Sequence, residues 1–415
     1  MKGIIILIGI VLLLGLLYLI SSHKKEVKIS IVVKALIVQF ILAFLLVKFP
    51  FGRIVVSKLS DVVTKILSYG FNGLSFVFGS LADPSQATGF IFIIGALGNI
   101  IFLSALVAAL FYLGILGAIV KVIGKVVGKI LGTTQVESFV AVANMFLGQT
   151  ESPILVSKYL GNMTQSEIMV VLVSGMGSMS ATIIGGYTAL GIPMEYLLTA
   201  SALVPFGSIA ISKILLPETE HAKVIENVSM DRKGHHENII SAVTEGAVNG
   251  IQAVIAIAAS LVAFISIVSL VNGILGVAGL SLEKIFAYIF SPFGFFMGLE
   301  GENILYAGEL LGFKLVLNEF VAFQNLGQHL ASLDYRTGLM LSIAMAGFAN
   351  VSSMGICISG ISILCPDKRP VLARLAFKAM IGGFAVSILS AMIVGFITII
   401  SVSYTHLRAH ETCAD

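Results

Sequence analysis

Long apolar runs separated by short polar stretches divide the chain into elements. Runs of helix-spanning length occupy residues 3–20, 29–47, 89–114, 168–190, 194–216, 245–271 and 373–400. A helix needs about 20 apolar residues to cross the hydrocarbon core of a bilayer, so each run predicts a membrane-spanning helix. Residues 53–79 and 121–129 instead combine lysines with apolar residues at helical spacing, which predicts amphipathic helices at the membrane surface.

Two half-length apolar runs, Phe139–Val142 and Ile154–Leu160, flank the polar stretch Asn144–Pro153. Runs this short, meeting at a polar tip with glycine and proline, predict a re-entrant helical hairpin. Non-helical backbone survives at membrane depth only inside protein or beside a water-filled cavity. Glu151 lies in that tip, and a carboxylate at such a depth is costly enough to indicate a functional site.

The second half of the chain repeats this order of elements. Glycines and serines interrupt the run 168–190 at residues 174–180, and Gly347–Ser353 interrupts a later run. Residues 300–303 interrupt the apolar stretch that begins at Phe286, so we expect the second hairpin there, with Glu319 in the run that follows. Hairpin, broken helix and full span thus occur twice, which is typical of inverted-repeat secondary transporters with a midplane site. A channel would also fit the duplication.

Composition supports an integral membrane protein. The 415 residues are 57% hydrophobic and 11% charged, whereas soluble domains carry about 25% charged residues. The net charge of +3, without a basic array, argues against a nucleic-acid partner. Cys357, Cys365 and Cys413 show no paired spacing, so we expect free thiols. No small-residue cleavage site follows the first apolar run, which favours a spanning helix over a signal peptide.

Polar side chains in the interruptions are the candidates for ligand binding: Gln149, Thr150, Glu151, Glu319, Asn350 and Ser353. Carboxylates accept hydrogen bonds strongly, and amides both donate and accept, so this set suits a neutral polyol with a heterocyclic edge. Asn144 and Ser178, together with unwound backbone carbonyls, offer oxygen ligands for a small cation. A helix-packing contact is the alternative for each residue alone, and Asn144 could equally cap a helix.

An enzyme is the least supported class. The chain has no HExxH, GxSxG or P-loop motif, and His221, His235 and His236 lie in a charged stretch away from both glutamates. Two carboxylates could catalyse hydrolysis within the membrane, but nothing in the sequence identifies a reacting substrate. We therefore expect no enzymatic activity and no organic cofactor.

Several motifs together resemble the concentrative nucleoside transporter family. They are GQTES at 148–152, PETE at 217–220, EGA at 245–247, NEFVA at 318–322 and GFAN at 347–350. The resemblance covers residues 89–400 approximately, and the combination is far more specific than any motif alone. With no added helices ahead of the first run, the chain is most similar to the bacterial form of the family.

The resemblance implies an all-α protein with about eight spans, two re-entrant hairpins and two broken helices, working as an elevator within a homotrimer in the cytoplasmic membrane. It implies that Gly148, Gln149, Thr150 and Glu151 bind the nucleobase side of a nucleoside. Glu319, Asn350 and Ser353 would hold the ribose hydroxyls, while Phe348 and Ile183 supply apolar contact. The side chains of Asn144 and Ser178 and the carbonyls of Leu147 and Met179 would bind sodium.

The coupling ion and the base preference are less sharply indicated. Proton-driven relatives tend to have a different small polar residue where this chain has Asn144, so the resemblance favours sodium over a proton. Gln149 favours pyrimidine nucleosides slightly, and purine nucleosides remain open. The expected layout is a scaffold at 1–132, a first transport repeat at 133–216, a charged linker with a surface helix at 217–246, a scaffold helix at 247–280 and a second transport repeat at 281–402. Residues 403–415 would form a polar tail outside the fold, whose origin the sequence leaves open.

Overall fold

The structure is a computed structural model that describes residues 1–83, 85–86, 89–220 and 237–411, with side chains as far as residue 399. Within these ranges the chain forms nineteen α-helices and no strand. Their bounds are α1 Lys2–Leu19, α2 Ile29–Val47, α3 Pro50–Phe78, α4 Phe92–Gly95, α5 Asn99–Tyr112, α6 Ile115–Leu131, α7 Gln135–Ala143, α8 Ser152–Leu155, α9 Ser157–Leu160, α10 Gln165–Gly177, α11 Ala181–Ala189, α12 Met194–Leu215, α13 Ile239–Gly276, α14 Leu282–Phe296, α15 Glu302–Gly312, α16 Glu319–His329, α17 Tyr335–Met345, α18 Val351–Leu364 and α19 Arg369–Glu411.

Seven helical stretches of the described chain are long and apolar enough to cross a membrane. They are α1, α2, α4 with α5, α10 with α11, α12, α13, and α19 with the turn before it. These seven stretches correspond to the seven long apolar runs of the sequence. The eighth expected span corresponds to α17 and α18, two short helices separated by residues 346–350.

The two helices expected to be amphipathic have the expected faces. In α6, Lys121, Lys125 and Lys129 are exposed, while Val120 and Val127 are buried on the opposite side. In α3, the charged residues are likewise exposed, and the buried positions form a narrow stripe of small and aliphatic residues. Lysine stems can cover apolar surface while the ammonium groups reach water, which fits helices at an interface.

The centre of the fold is built by α10, α12 and α19, which contact one another and are buried over most of their length. Helices α1 and α2 pack on the outside of α12 and α19. The long helix α13 packs along α5 and is otherwise mostly exposed. Because its exposed residues are largely aliphatic, this surface is suited to lipid or to other protein rather than to water.

The hairpins differ in one respect from the expected arrangement. The interruption at residues 298–301 does join two antiparallel helices, α14 and α15, and Gly308 lets them approach so closely that a Cβ there would lie 2.3 Å from the Ala287 carbonyl oxygen. Glu300 and Glu302 are exposed, however, so this turn lies at the surface. The turn that enters the centre of the protein is a later one, at Asn318, between the π-helical turn Phe313–Leu317 and α16. A surface turn and a buried hairpin tip share the same glycine and acidic residues, so the sequence could not separate them.

Two helix boundaries in the structure differ from those expected from the sequence. Helix α13 begins at Ile239 and continues unbroken to Gly276, so residues 239–246 are part of the long helix rather than a separate surface helix. Residues 221–236 of the expected linker, with its three histidines, lie outside the described residues. Helix α19 continues to Glu411, past the expected start of the tail at 403, and residues 412–415 again lie outside the described chain.

Candidate functional site

The first hairpin ends in a compact polar turn between α7 and α8. The backbone N–H of Gly148 donates to the Glu151 carboxylate at 3.2 Å, and the Gly148 carbonyl accepts from the N–H groups of Glu151 and Ser152, both at 3.1 Å. A Cβ built on Gly148 would lie 3.5 Å from the Ser180 Cβ and would also be close to Phe348. The turn therefore faces the interruptions of two other helices.

Those two interruptions cross each other at the centre of the fold. Helix α10 ends at Gly177 before α11 begins at Ala181, and α17 ends at Met345 before α18 begins at Val351. The Phe348 N–H donates to the Ser178 carbonyl at 3.0 Å, and the Ala181 N–H donates to the Phe146 carbonyl at 2.9 Å. These bonds tie both interruptions and the first hairpin into one unit.

Glycine at position 347 is required by this crossing. Gly347 has φ +110°, a conformation that L side chains rarely adopt, and a Cβ there would lie 2.9 Å from the Gly177 carbonyl oxygen. Any side chain would thus combine backbone strain with a steric clash.

Glu319 stands at the first turn of α16, almost fully buried, with both carboxylate oxygens hydrogen-bonded. Tyr187 donates its hydroxyl to Oε1 at 3.1 Å, and Asn350 donates Nδ2 to Oε2 at 3.2 Å. Asn350 is also the N-cap of α18, accepting from the Ser353 N–H at 2.9 Å. The second hairpin, α11 and α18 therefore meet at one carboxylate.

Gln149 forms a second polar contact beside this cluster. Its Nε2 donates to the Ser353 hydroxyl at 3.3 Å, and its Oε1 accepts from the Cys357 thiol at 3.3 Å. Because Ser353 also contacts Asn350, the first hairpin tip and the Glu319 cluster are continuous. Thr150 is half-buried next to α18. A Cβ built on Gly360 of that helix would lie 3.1 Å from the Thr150 Cγ2.

The expected cation ligands lie in the first hairpin tip and in the α10–α11 interruption. Asn144 is fully buried; its Nδ2 donates to the Ser174 hydroxyl at 2.9 Å, but its Oδ1 has no hydrogen-bond partner within the described chain. Ser178 lies four residues after Ser174, and its hydroxyl donates to the Gly175 carbonyl at 3.0 Å. Leu147 and Met179 are buried in the hairpin turn and in the α10–α11 interruption. An orphaned acceptor among oxygens fits a small cation better than a packing contact, which would satisfy it.

Comparison with known proteins identifies what this arrangement belongs to. Family models described as the N-terminus and C-terminus of Na+ dependent nucleoside transporters match residues 8–81 and 196–395, and one described as nucleoside recognition matches residues 93–194. The nucleoside permease NupC of Helicobacter pylori is 34% identical over 404 residues, which cover 94% of this chain and 96% of the permease. The chain belongs to the concentrative nucleoside transporter family.

Solved structures of this family superpose closely on the fold. CNTnw in an inward-facing, substrate-bound state has a TM-score of 0.92 and 35% identity, covering 96% of this chain and 98% of its own. A doubly substituted CNTnw in an outward-facing state gives a TM-score of 0.93 with 34% identity, covering 96% and 99% respectively. The chain is therefore a multi-pass member of a family of nucleoside transporters and not an enzyme.

Among the other expected site residues, Ile183 is half-buried in the first turn of α11, close to Ser180 at the interruption. Phe348 is almost fully buried beside Gly148. The structure thus gathers the two hairpin tips and the two interruptions into one region, and it leaves Glu300 outside it, paired with Lys2 at 2.7 Å on the surface.

Three residues of this region were missed from the sequence: Tyr187, Cys357 and Lys314. Tyr187 is fully buried between Phe320 and Phe323, with ring centroids at 4.8 and 4.4 Å. A tyrosine in an apolar helix carries no distinctive pattern. Lys314 could have been found, since a lone lysine inside an apolar run of a hairpin invites the same argument that singled out Glu319.

Proposed function

We propose that this member of the family is a sodium-coupled symporter that imports nucleosides across the cytoplasmic membrane. The observation that carries the proposal is the buried Oδ1 of Asn144, which no donor in the described residues satisfies. A buried acceptor without a partner is costly, and a coordinated sodium ion would remove that cost. The Ser178 hydroxyl and the backbone carbonyls of Leu147 and Met179 are the further ligands of the proposed site.

The proposed nucleoside site uses Glu319 for the ribose. A carboxylate offers about four acceptor positions, and Tyr187 and Asn350 occupy two of them. The remaining positions would accept hydrogen bonds from ribose hydroxyls, with Ser353 as a further polar contact. Hydrogen bonds to an ionised acceptor are roughly twice as strong as neutral ones, so Glu319 would supply much of the recognition.

The first hairpin tip would bind the nucleobase. Gln149 presents an amide that donates and accepts, and Gly148, Thr150 and Glu151 lie beside it in the same turn. Phe348 and Ile183 would supply apolar contact next to the ligand. An amide can pair with either a pyrimidine or a purine edge, and the proposal covers both classes.

We further propose that the two tips enter the membrane as re-entrant hairpins of an inverted repeat. Solved relatives exist in inward-facing and outward-facing states, which supports a carrier that alternates between them. An elevator motion of the site-bearing helices within a homotrimer, each protomer with its own site, is the mechanism that we propose.

Sodium is favoured over a proton as the coupling ion by the chemistry of Asn144. An amide oxygen can coordinate a cation but does not take up a proton at physiological pH, so Asn144 suits sodium coupling and not proton coupling. One positive charge entering the cell gains about 2.3 kcal/mol per 100 mV, which supports roughly fiftyfold accumulation before any ion gradient is counted.

Ion replacement tests the coupling directly. Uridine uptake into proteoliposomes should fall to background when sodium is replaced by choline, and it should be insensitive to a protonophore when sodium is present. Uptake that persists in choline but collapses with the protonophore would replace sodium by a proton in this mechanism.

A further inference from the structure

Lys314 is a fully buried lysine that the proposed mechanism leaves without a role. It lies in the π-helical turn between α15 and α16. Its Nζ contacts three oxygens: the carbonyls of Ala344 and Ala346 at 2.7 and 3.0 Å, and the Ser387 hydroxyl of α19 at 2.6 Å. The first two belong to the end of α17, where the helix is interrupted. The side chain therefore terminates in an enclosed cradle of oxygens.

The contacts of the cradle fit a charged ammonium group. Ser387 also lies within 3.0 Å of the Phe384 carbonyl, to which its hydroxyl can donate. Since a hydroxyl has a single hydrogen, all four contacts can be hydrogen bonds only if Nζ carries three hydrogens and donates to Ser387. The Phe384 ring lies 5.8 Å from Nζ and adds a cation–π contact. This geometry therefore suits a positive charge in the cradle.

The cradle lies in the second half near the place that corresponds to the sodium ligands of the first, although Asn144 itself corresponds to Gly312, two residues before Lys314. Glu319 follows Glu151 by 168 residues, and Ala346, which ends α17, follows Ser178, which ends α10, by the same number. In each half, a residue just beyond the first helix of a hairpin reaches the last turn of the interrupted helix. Asn144 does so by contacting Ser174, and Lys314 does so by contacting Ala344.

The two halves differ in what fills the equivalent position. In the first half an acceptor, Asn144 Oδ1, is left without a partner among the residues that the structure describes. In the second half, two carbonyls and a hydroxyl are all satisfied by the Lys314 ammonium. Unwound backbone carbonyls at an interrupted helix also coordinate sodium in transporters built from repeats.

We propose that Lys314 is a tethered cation that fills the second of two equivalent cation sites, so that only the first binds an exchangeable sodium ion. The proposal rests on the sodium-coupled function proposed above. An ammonium fixed to the chain crosses with the loaded carrier and returns with the empty one, so it adds no net charge to a transport cycle. Lys314 thereby sets the coupling at one sodium per nucleoside while its charge balances the buried Glu319, five residues further on.

Two substitutions separate the tethered charge from the space that it fills. Lys314→Ala leaves the three oxygens in place and opens the cradle, so a second sodium ion can enter from solution. Lys314→Met removes the charge but keeps an unbranched apolar side chain in the cradle, which leaves little room for an ion. The measurement is the ratio of charge to labelled uridine taken up by proteoliposomes at a clamped potential.

The expected ratios are about one for the unmodified protein, about two for Lys314→Ala and about one for Lys314→Met. A ratio of one for a transporting Lys314→Ala protein would overturn the proposal. Absence of sodium-dependent uptake of both uridine and adenosine by the unmodified protein would instead contradict the proposed function.

Thermal stability tests the proposal in the case where the Lys314→Ala protein folds but does not transport. Ligand binding to the native state raises stability with the logarithm of ligand concentration, once for each site. The dependence of the melting temperature on the logarithm of sodium concentration, with choline keeping ionic strength constant, should be about twice as steep in Lys314→Ala as in the unmodified protein. Equal slopes would overturn the proposal. So would failure to recover folded Lys314→Ala from sodium buffers, because an opened cation site would be refilled there.

Discussion

The hydroxyl of Tyr187 donates a 3.1 Å hydrogen bond to Oε1 of Glu319, although the two residues are 132 positions apart in the chain. Tyr187 belongs to α11 of the first half and Glu319 to α16 of the second. The bond fixes the carboxylate that we assign to the ribose, and Phe320 and Phe323 hold the tyrosine ring in place. The two halves of the chain thus share one binding group.

Tyr187→Phe should raise the KM for uridine about tenfold or more, because a hydrogen bond to a charged group contributes about 1.5–3 kcal/mol. The rate at saturating uridine should change less, since the carboxylate itself remains. Initial uptake rates over a range of uridine concentrations measure both parameters. Tyr196→Phe is the control: Tyr196 packs edge-on against Tyr335 in a separate pocket that Arg53 also lines, so its substitution should leave KM unchanged. Equal effects of the two substitutions would contradict the positioning role of Tyr187.

Glu319→Gln should abolish uptake while the protein still folds. The amide keeps the shape of the side chain but loses the charge that strengthens its bonds to ribose hydroxyls. Glu300→Gln is the matched control, since Glu300 is exposed and pairs with Lys2 on the surface. Labelled uridine uptake and size-exclusion profiles should be measured for both. Normal transport by Glu319→Gln would refute its assignment to the substrate.

Asn144→Ala should raise the sodium concentration for half-maximal uptake about tenfold or more, which corresponds to about 1.4 kcal/mol of lost coordination. Ser174→Ala should have a smaller effect in the same direction, because it removes only the group that orients the Asn144 amide. Sodium titrations at saturating uridine rank the two variants. An unchanged titration for Asn144→Ala would reduce this residue to a packing role.

The buried ion pair of Glu137 and Lys213 should govern stability rather than transport. Lys213 also donates to the Ser166 hydroxyl at 2.9 Å, and both charged residues are almost fully buried. Lys213→Met leaves the Glu137 charge unpaired and should cost about 3–5 kcal/mol, whereas adding Glu137→Gln should recover much of the loss.

Thermal unfolding in detergent compares these variants with Lys2→Met, which removes an exposed pair and should change stability by less than about 1 kcal/mol. A double variant as unstable as Lys213→Met alone would show that the uncompensated charge is not the cause.

The sequence allowed the spans and most of the candidate site to be predicted, because both depend on contrast with an apolar background. Glu151, Glu319 and Asn350 are polar residues inside apolar runs, so their isolation alone indicated a site. The family resemblance then added roles that spacing could not supply.

Other features could not be predicted because they depend on which surfaces meet. The turn at residues 298–301 has the same composition as a buried hairpin tip, and only packing shows that it is exposed. Tyr187 is one more aromatic residue in an apolar helix until α16 brings Glu319 to its hydroxyl. The partners of Lys314 are mainly backbone carbonyls, which every residue has, so no side-chain pattern could indicate them.

Sodium-coupled symport is tested by the accumulation of labelled uridine and adenosine in proteoliposomes, measured with and without an inward sodium gradient. We expect at least one nucleoside to be concentrated intact above its external level, and only when the gradient is present. Uptake that stops at equal concentrations on both sides, or that ignores the gradient, would contradict sodium-coupled symport.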